Sequence, residues 1–442
     1  MRVAWFSPMP PVRSGIALDS ANLVAALGTR HPIDVFVHEC APGPTPAHLS
    51  AHEFVPRHRQ SPYDLIVYQI GNSSHHDYLW AYAFRYPGLV VLHDAHLHHA
   101  RAAALLRSRR DRDYRAEFAA AQPDAHPDAA ELAVAGFDSH LYYMWPMTRL
   151  LVIASRAAAV HNRPTAEQMT EELGVPVDHI RLSHGLAVSP EQQASARGRL
   201  RVRYGLGDGI VFGVFGGLSP EKRIPQILEA FAALLPYADE AVLLLAGPSA
   251  KHYDVAADVA GRGLTGRVVL TGYVDDEAEL TDLIAATDVV VNLRWPTARE
   301  TSGPWLRALA AGKPTVIVDL LQTVNVPTVD PRSWTTSLPG AQPVAVAIDI
   351  LDEEHSLRLA MRRLTADAPF RRSLGEAGQR HWQAEHAFES MVKDYERVMA
   401  AARERPDPSP ALPPHLRDDG EARVEELLMP FGVPSPLAQG KL

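Results

Sequence analysis

The chain has 442 residues, of which 46% are apolar and 21% are charged, and its formal net charge at pH 7 is -9. This length exceeds what one hydrophobic core usually serves, so we expect two domains. The acidic balance and the absence of a long Lys/Arg run argue against nucleic acid as the main partner, because phosphate backbones are bound by dense cationic surfaces.

The single cysteine, Cys40, excludes an intrachain disulfide and any metal site built on several thiolates. It favours a reducing compartment, and we expect a cytoplasmic protein. The first residues, MRVAWFSPMP, do not resemble the charged and apolar regions of a signal peptide. Apolar runs stay well below the ~20 residues that a membrane-spanning helix needs, and a peripheral membrane contact is left open.

Short apolar runs alternate with helical patterns in both halves of the chain, which is typical of buried parallel strands in α/β sheets. In the first half we predict strands at RVAWFS, IDVFVH, DLIVYQ, GLVVLHD and RLLVIAS. In the second half we predict strands at IVFGVFG, AVLLLAG, RVVLTG, DVVVNL and PTVIVD. Each half is then a doubly wound domain that binds ligands at the carboxyl ends of its strands, with a cleft between the two.

The domain boundary is predicted within the polar, glycine-bearing stretch between residues 187 and 208. We assign residues 1–190 to the first domain and residues 191–404 to the second, including a terminal helix that could cross back toward the first. Residues 405–442 begin with the proline-rich stretch RPDPSPALPPHLRDDG, which indicates a linker, and end in a tail that could dock or be disordered.

The stretch GVFGGLSPEKR joins a predicted strand to a predicted helix. Gly216 and Gly217 permit close approach of the backbone, and the helix beginning near Lys222 offers N–H donors. Lys222 and Arg223 add two positive charges, which suits a diphosphate. Cations oppose the dipole at a helix N-terminus, so a bound anion explains them better than the alternative, an exposed cation pair. The sequence has no Walker loop, and GLGDG precedes a strand instead of following one, so a dinucleotide site is weakly supported.

A second motif follows the strand DVVVNL, where a polar loop leads into the helical pattern TSGPWLRALAAGKP. Ser302 is the predicted cap, Pro304 lies in the first turn and Gly312 ends the helix. Glu300 is then at the carboxyl edge of the sheet, beside a helix N-terminus that keeps it ionised and able to accept hydrogen bonds from hydroxyls. The alternative is a helix-start charge with no ligand.

Polar residues also follow the strands of the first domain. Gly15 lies in a loop after the first strand and is either a close-approach point for a phosphate or an ordinary turn residue. Asn72, His93 and Asp94 come directly after strands and should point into the cleft. His93 could alternatively cap a helix or fill a polar pocket.

Six histidines crowd this part of the chain: His75, His76, His93, His96, His98 and His99. Their spacing fits no zinc motif with a carboxylate base, so we predict no metal site.

The segments VFGVFGGLSPEKR, LTGYVDDEAELTDLIAATDVVV and RETSGPWLRALAAGKPTVIV resemble the donor-binding half of the family 4 retaining glycosyltransferases. The resemblance covers most of residues 1–400 in organisation and is sharpest between Gly213 and Asp319. It implies a GT-B fold: two facing Rossmann-like doubly wound domains, with acceptor-side residues 1–190 and donor-binding residues 191–404, followed by the C-terminal tail. It also implies a metal-independent, hexosyltransferase-like enzyme with no obligatory cofactor.

The implied reaction moves a sugar from a nucleotide-diphosphate-sugar donor to an acceptor hydroxyl with retention of configuration. The acceptor could be a glycan, a lipid-linked sugar or a small molecule. In the family, the leaving phosphate takes the acceptor proton, so no dedicated general base is implied.

The resemblance carries over to individual residues. GGLSPEK is similar to the family pattern G-R-L-x-x-x-K that holds the diphosphate: Gly217 replaces the common arginine, Lys222 matches the lysine and Arg223 could replace the missing charge. Alignment on ALAAGKP places Glu300 one residue from the first of two paired glutamates, which contacts donor-sugar hydroxyls. Arg307 stands where the second, which contacts the nucleotide ribose, belongs.

The implied catalytic residues are His93, Lys222, Arg223 and Glu300, and His93 would approach the donor sugar. The implied donor-binding residues are Gly15, Gly216, Gly217, Tyr273, Val274, Thr301, Ser302, Gly303 and Arg307. Asn72 and Asp94 are expected on the acceptor side.

Two other classes of function are compatible with the same two-domain fold, because a fold does not determine a reaction. A sugar-nucleotide epimerase or a glycoside phosphorylase is one alternative. A noncatalytic sugar-nucleotide-binding subunit is the other, and the departure from the family pattern at Arg307 keeps it open.

Overall fold

The computed structural model describes residues 1–38, 48–126, 128–137, 140–417 and 421–433. The chain forms two compact units. The first comprises Met1–Ile180, Ala298–Glu300 and Val392–Leu442, and the second comprises Arg181–Thr297 and Thr301–Met391. Along the chain, the first unit thus gives way to the second between residues 180 and 181, and the chain returns to the first unit at residue 392.

The first unit is built on a parallel sheet that has seven strands among the described residues, in the order β3-β2-β1-β4-β5-β6-β7. The strands are β1 (Val3–Phe6), β2 (Ile33–Val37), β3 (Leu49–Ser50), β4 (Leu65–Ile70), β5 (Leu89–Leu92), β6 (Ala157–Val160) and β7 (Val177–His179). The helices between them are α1 (Gly15–Leu27), α2 (Phe54–Gln60), α3 (Leu79–Arg85), α4 (His98–Arg107), α5 (Asp111–Ala121), α6 (Ala129–Val134), α7 (Leu141–Met144), α8 (Arg149–Ile153) and α9 (Arg163–Leu173). The strand order changes direction between β1 and β4, which is where such sheets expose loops to ligands.

The second unit repeats this plan, with seven parallel strands among its described residues in the order β10-β9-β8-β11-β12-β14-β13. The strands are β8 (Val211–Phe215), β9 (Val242–Ala246), β10 (Val268–Leu270), β11 (Val289–Asn292), β12 (Thr315–Val318), β13 (Thr328–Val329) and β14 (Ala345–Ile348). The helices are α10 (Pro190–Tyr204), α11 (Ile224–Leu234), α12 (Val255–Gly261), α13 (Glu277–Ala286), α14 (Gly303–Ala310), α15 (Glu353–Ala366) and α16 (Ala368–Glu385). Here the order changes direction between β8 and β11, so the loops after these two strands flank the expected ligand position.

Three helices follow: α17 (Phe388–Glu404), α18 (Pro414–Arg417) and α19 (Glu421–Leu428). None of the described helices has the length and apolar character of a membrane span.

The predicted strands are confirmed with one exception. RLLVIAS forms helix α8 instead of a strand, and the strand follows it at Ala157–Val160. A short apolar run does not by itself distinguish a buried helix from a buried strand. The alanines of β6 have weak strand propensity, and their position between β5 and β7 gives them the strand conformation.

The stretch expected to be a linker after residue 404 is packed onto the first unit. Leu412 is 9% exposed and joins that unit's hydrophobic core. The Arg156 guanidinium binds the Asp407 carboxylate at 2.5 Å, and His415 Nε2 lies 2.8 Å from the buried Glu117 carboxylate. Cys40 and residues 434–442 lie outside the described residues.

Candidate active site

The carboxyl end of β8 is a tightly packed glycine turn. Gly216 has φ of 92°, and its N–H donates to the Ala246 carbonyl at 2.9 Å. A Cβ at Gly216 would lie 2.6 Å from Lys222 Nζ and 3.4 Å from Pro304 Cγ, whereas one at Gly217 would have no neighbour within 4 Å. The backbone conformation therefore favours glycine at 216, and a side chain there would also displace the Lys222 ammonium, while Gly217 faces open space.

Lys222 lies over this turn. It ends a short 3₁₀ turn, Pro220–Lys222, and its half-buried ammonium donates to the Phe215 carbonyl at 2.9 Å. Because an ammonium carries three N–H donors, this hydrogen bond is compatible with a phosphate ligand. Pro304, at the start of α14, packs beside the same glycine. A positive charge and the positive end of a helix dipole thus lie together at the direction change of the second sheet.

Arg223, expected to act with Lys222 on one anion, has a partner of its own. It adopts a left-handed conformation with φ of 59°, and its guanidinium forms two hydrogen bonds with Glu353, of 2.7 and 2.5 Å. The carboxylate raises the pKa of Arg223 through these hydrogen bonds. The side chains are only 21% and 10% exposed, so this ion pair fixes the start of α11 against α15.

The start of α14 has the predicted capping. Ser302 Oγ accepts a hydrogen bond from the Trp305 N–H at 3.4 Å and donates to Asn292 Oδ1 at 3.1 Å. Pro304 lies in the first turn, and Gly312 ends the helix with φ of 65°. The cap therefore ties the helix N-terminus to the carboxyl end of β11.

The imidazole of His184 packs against the first residue of α14. A Cβ at Gly303 would lie 3.0 Å from the His184 ring, and one at Gly185 would lie 2.9 Å from the Arg307 Cα. The Trp382 indole N–H donates to the His184 carbonyl at 2.9 Å. His184 is not among the residues predicted from the sequence, where its signal is a histidine–glycine pair before the second unit's first helix.

Glu300 is half-buried and belongs to the short segment Ala298–Glu300 of the first unit. The Ala298 carbonyl accepts hydrogen bonds from the N–H groups of Ala95 and His96, at 2.9 and 3.2 Å. The Arg299 guanidinium donates to Gln168 Oε1 at 2.7 Å. Hydrogen bonds of the two preceding residues therefore hold the backbone at Glu300, which lies two residues before the Ser302 cap.

Arg307 lies one turn into α14 and is paired with a carboxylate. Its guanidinium is 2.6 Å from Glu277 Oε2 at the start of α13, and its side chain is 13% exposed. Tyr273 and Val274 lie in the loop before that helix: Tyr273 is 45% exposed, and Val274 packs on the core beneath. Thr301 is half-buried in the loop before the Ser302 cap.

In the first unit, the structure brings Asn72 and Asp94 together. The Asn72 N–H donates to Asp94 Oδ2 at 2.8 Å, and Asn72 Oδ1 accepts from the Ala100 N–H at 2.8 Å. Asn72 therefore caps the first turn of α4. Gly15 is exposed and begins α1, in the loop region after β1.

His93 follows β5 and is held by its neighbours. Its Nε2 is 2.7 Å from Gln69 Oε1, and its ring is 4.6 Å from that of His161. Gln69 was not predicted as a site residue. Its signal in the sequence is that it is a polar residue inside the buried strand LIVYQI.

Three of the other five histidines in this group, His76, His96 and His98, are buried. Burial lowers the pKa of His76, His96 and His98 to about 4, so these three are neutral at pH 7. His98 Nε2 is bonded to the Tyr114 hydroxyl at 2.8 Å. Within the described part of the chain, no three His, Cys, Asp or Glu residues are grouped as metal ligands.

Comparison with known proteins finds a family match for part of the chain. Residues 209–333 match the family described as Glycosyl transferases group 1. The 2-deoxystreptamine glucosyltransferase of Streptomyces kanamyceticus is 32% identical over 133 residues, which are 29% of this chain and 34% of that protein. The alpha-D-kanosaminyltransferase of the same organism is 27% identical over 218 residues, which are 48% of this chain and 55% of that protein. The matched segments thus span a third to about half the length of these curated relatives.

The fold likeness extends much further than the sequence likeness. The Anabaena protein HepE, solved in complex with UDP and glucose, aligns over 90% of this chain and 99% of its own, with a TM-score of 0.59 and 16% identity. This confirms the predicted fold class of two Rossmann-like parallel-sheet domains. The part of the chain that contains Gly216, Lys222 and Glu300 therefore matches the group 1 glycosyl transferases, on a fold that one of the solved UDP-binding proteins shares.

Proposed function

We propose that this protein transfers a sugar from a nucleotide-diphosphate sugar to an acceptor hydroxyl, with retention of configuration and without a metal ion. The observation that carries the proposal is the arrangement of Lys222 and the α14 N-terminus around Gly216. It lies within the segment that matches the group 1 glycosyl transferases. A cation, a helix dipole and a close-approach glycine are together suited to a diphosphate.

Lys222 and the N-terminus of α14 stabilise the leaving group in this proposal. The bond between the anomeric carbon and the diphosphate oxygen breaks, negative charge builds on the diphosphate, and fixed positive charge lowers the barrier. The acceptor oxygen forms the new bond to the anomeric carbon, and its proton passes to the leaving phosphate. The charge of Arg223 is paired with Glu353, so in this proposal Arg223 holds the turn in place and does not bind the phosphate.

Glu300 and His93 contact the donor sugar in this proposal. A carboxylate accepts hydrogen bonds from sugar hydroxyls, and an imidazole can either donate or accept. Thr301, Ser302 and Gly303 supply the polar backbone that leads into α14, and Asn72 and Asp94 form the acceptor side. Arg307 has its charge paired with Glu277, and the two groups together are the candidate contact for the nucleotide ribose.

The named relatives suggest which substrates to test first. HepE has been solved with UDP-glucose, so UDP-sugars come first among donors. A 2-deoxystreptamine glucosyltransferase is among the relatives, so aminocyclitols come first among small-molecule acceptors. A cytoplasmic location, favoured by the single cysteine, would give access to both substrates.

The proposal is tested with UDP-, GDP-, ADP- and dTDP-sugars, each with and without acceptors and free phosphate, with EDTA present. We expect release of the nucleoside diphosphate coupled to a glycosylated acceptor, and a product whose anomeric configuration by NMR equals that of the donor. Conversion of the donor without an acceptor would indicate an epimerase, and a requirement for phosphate would indicate a phosphorylase. Binding of nucleotide sugars without any turnover would indicate a noncatalytic subunit.

A further inference from the structure

A buried glutamine links His93 to helix α17. Gln69 on β4 and Tyr395 on α17 are both fully buried in the first unit. Gln69 Oε1 lies 2.7 Å from His93 Nε2 and 3.1 Å from the Tyr395 hydroxyl. Two hydrogen bonds therefore converge on one amide oxygen.

With Gln69 Oε1 facing His93, the chemistry of that oxygen places a proton on His93 Nε2. An amide oxygen only accepts hydrogen bonds, so His93 Nε2 must donate, and in the neutral ring Nδ1 is then an acceptor. The Tyr395 hydroxyl keeps its proton and donates, because burial strongly raises the pKa of this group. The opposite amide orientation would turn its NH₂ group toward His93 and would require the other tautomer.

Aromatic packing holds both partners of Gln69 in place. The Tyr395 ring is 5.7 Å from that of Trp5, and the His93 ring is 4.6 Å from that of His161. Trp5 and Tyr395 are fully buried, so Tyr395 cannot leave Gln69 without disturbing the core.

We propose that Gln69 and Tyr395 are positioning residues that hold His93, the proposed donor-sugar contact, in its Nε2–H tautomer, in which Nδ1 is an acceptor. The sugar contact rests on the proposed function, whereas the tautomer is a property of the protein without ligand. Helix α17 would thus determine which ring nitrogen of His93, 302 positions earlier in the chain, carries the proton.

The tautomer is measured on the full-length protein labelled with ¹⁵N-histidine, by NMR that correlates the ring nitrogens with the ring C–H protons. The His93 signals are identified by their loss in His93→Asn. We expect a protonated Nε2 and an unprotonated Nδ1 in the wild type. Gln69→Met removes the acceptor and should give a mixture of tautomers, whereas Gln69→Glu keeps an acceptor oxygen and should preserve Nε2–H.

Tyr395→Phe and Tyr68→Phe form a matched pair. Tyr68 is also fully buried and neighbours Gln69 on β4, but its hydroxyl donates to the Tyr86 carbonyl at 2.9 Å. Tyr395→Phe should change the His93 ¹⁵N shifts and lower kcat/KM about fivefold, the usual effect of one hydrogen bond, with nucleoside diphosphate affinity unchanged. Tyr68→Phe should leave the His93 signals as they are.

An Nδ1–H tautomer in the wild type, or unchanged His93 signals in Tyr395→Phe, would overturn the assignment. If no nucleotide sugar is turned over but the spectra follow the expected pattern, the proposed function fails while the positioning of His93 stands.

Discussion

Lys222 is the residue on whose charge the proposed reaction depends most. Its ammonium lies at the end of β8 and not in the hydrophobic core, so Lys222→Ala should affect ligands more than folding. We expect nucleoside diphosphate affinity to fall about tenfold to a hundredfold, the usual effect of one charge-assisted hydrogen bond, with little change in Tm. Calorimetric titration measures this loss.

Lys251→Ala is the control for Lys222→Ala, because it removes the same charge from an exposed position of the same unit. Equal affinities of the two variants for nucleoside diphosphates would remove Lys222 from the phosphate site.

Arg223 should show the opposite behaviour. Arg223→Ala leaves the nearly buried Glu353 carboxylate without its two hydrogen bonds, so we expect the free energy of unfolding to fall by about 1–3 kcal/mol. Nucleotide affinity per folded molecule should hold. The double variant with Glu353→Ala should recover part of the stability, since no unpaired charge is then buried. A tenfold loss of diphosphate affinity at unchanged stability would return Arg223 to the phosphate site.

The sequence predicts individual residues well where their role is local. Ser302, Pro304 and Gly312 fit capping rules that depend only on their neighbours in the chain. Arg223 and Glu353 are 130 residues apart, and no local pattern predicts that they pair. The same holds for Gln69 and Tyr395, which are brought together only by the packing of α17.

Among the elements of the site, the glycine turn after β8 offers a comparison of two adjacent residues. Gly216→Ala forces a φ of 92° on alanine and places its Cβ against Lys222, so both stability and nucleotide affinity should fall. Gly217→Ala meets open space, so Tm should change little. If Gly217 approaches the donor, affinity should nevertheless drop, as titration of both variants would show.

A pH-sensitive group, Lys313, lies three residues after the end of α14. Burial lowers the pKa of Lys313 from 10.5 to about 8. Between these values the unfolded chain holds the proton and the folded chain does not, so this group makes the free energy of unfolding rise with pH. We expect Lys313→Met to be more stable than the wild type below about pH 8, with the difference shrinking toward pH 10.5. Denaturant titrations across this range measure it, and a difference independent of pH would contradict the shifted pKa.

At the level of elements, nine of ten predicted strands form, because their short apolar runs are bounded by turn residues and pair with neighbouring strands. The strand prediction for RLLVIAS was wrong because an apolar run of this length is compatible with a helix as well as with a strand. The short strands β3 and β13 have only two residues each, which is too few for any periodicity. Their conformation comes from pairing with a neighbouring strand.

At the scale of the whole molecule, the stretch after residue 404 acts as part of the first unit. Leu412 is buried, and Asp407 and His415 bind groups of that unit, so a chain ending at residue 404 should lose about 2 kcal/mol or more of stability. A chain ending at residue 417 keeps all three contacts and should retain the wild-type Tm. Thermal unfolding of the two truncations decides this, and equal Tm values would contradict a structural role for residues 405–417.

The repeated doubly wound plan of the molecule was predictable, because alternating strands and helices leave few topologies. The sequence also allowed the terminal helix to cross back toward the first domain, and the chain does return to the first unit at residue 392. The position of this crossing was not predictable, since α17 has a continuous helical pattern across that point.

The most direct test of the proposed function is a crystal structure with the nucleoside diphosphate of the preferred donor. We predict that the diphosphate lies at the carboxyl end of β8, within hydrogen-bonding distance of Lys222 Nζ and against Gly217. A diphosphate bound away from Lys222 and from the N-terminus of α14 would contradict the account.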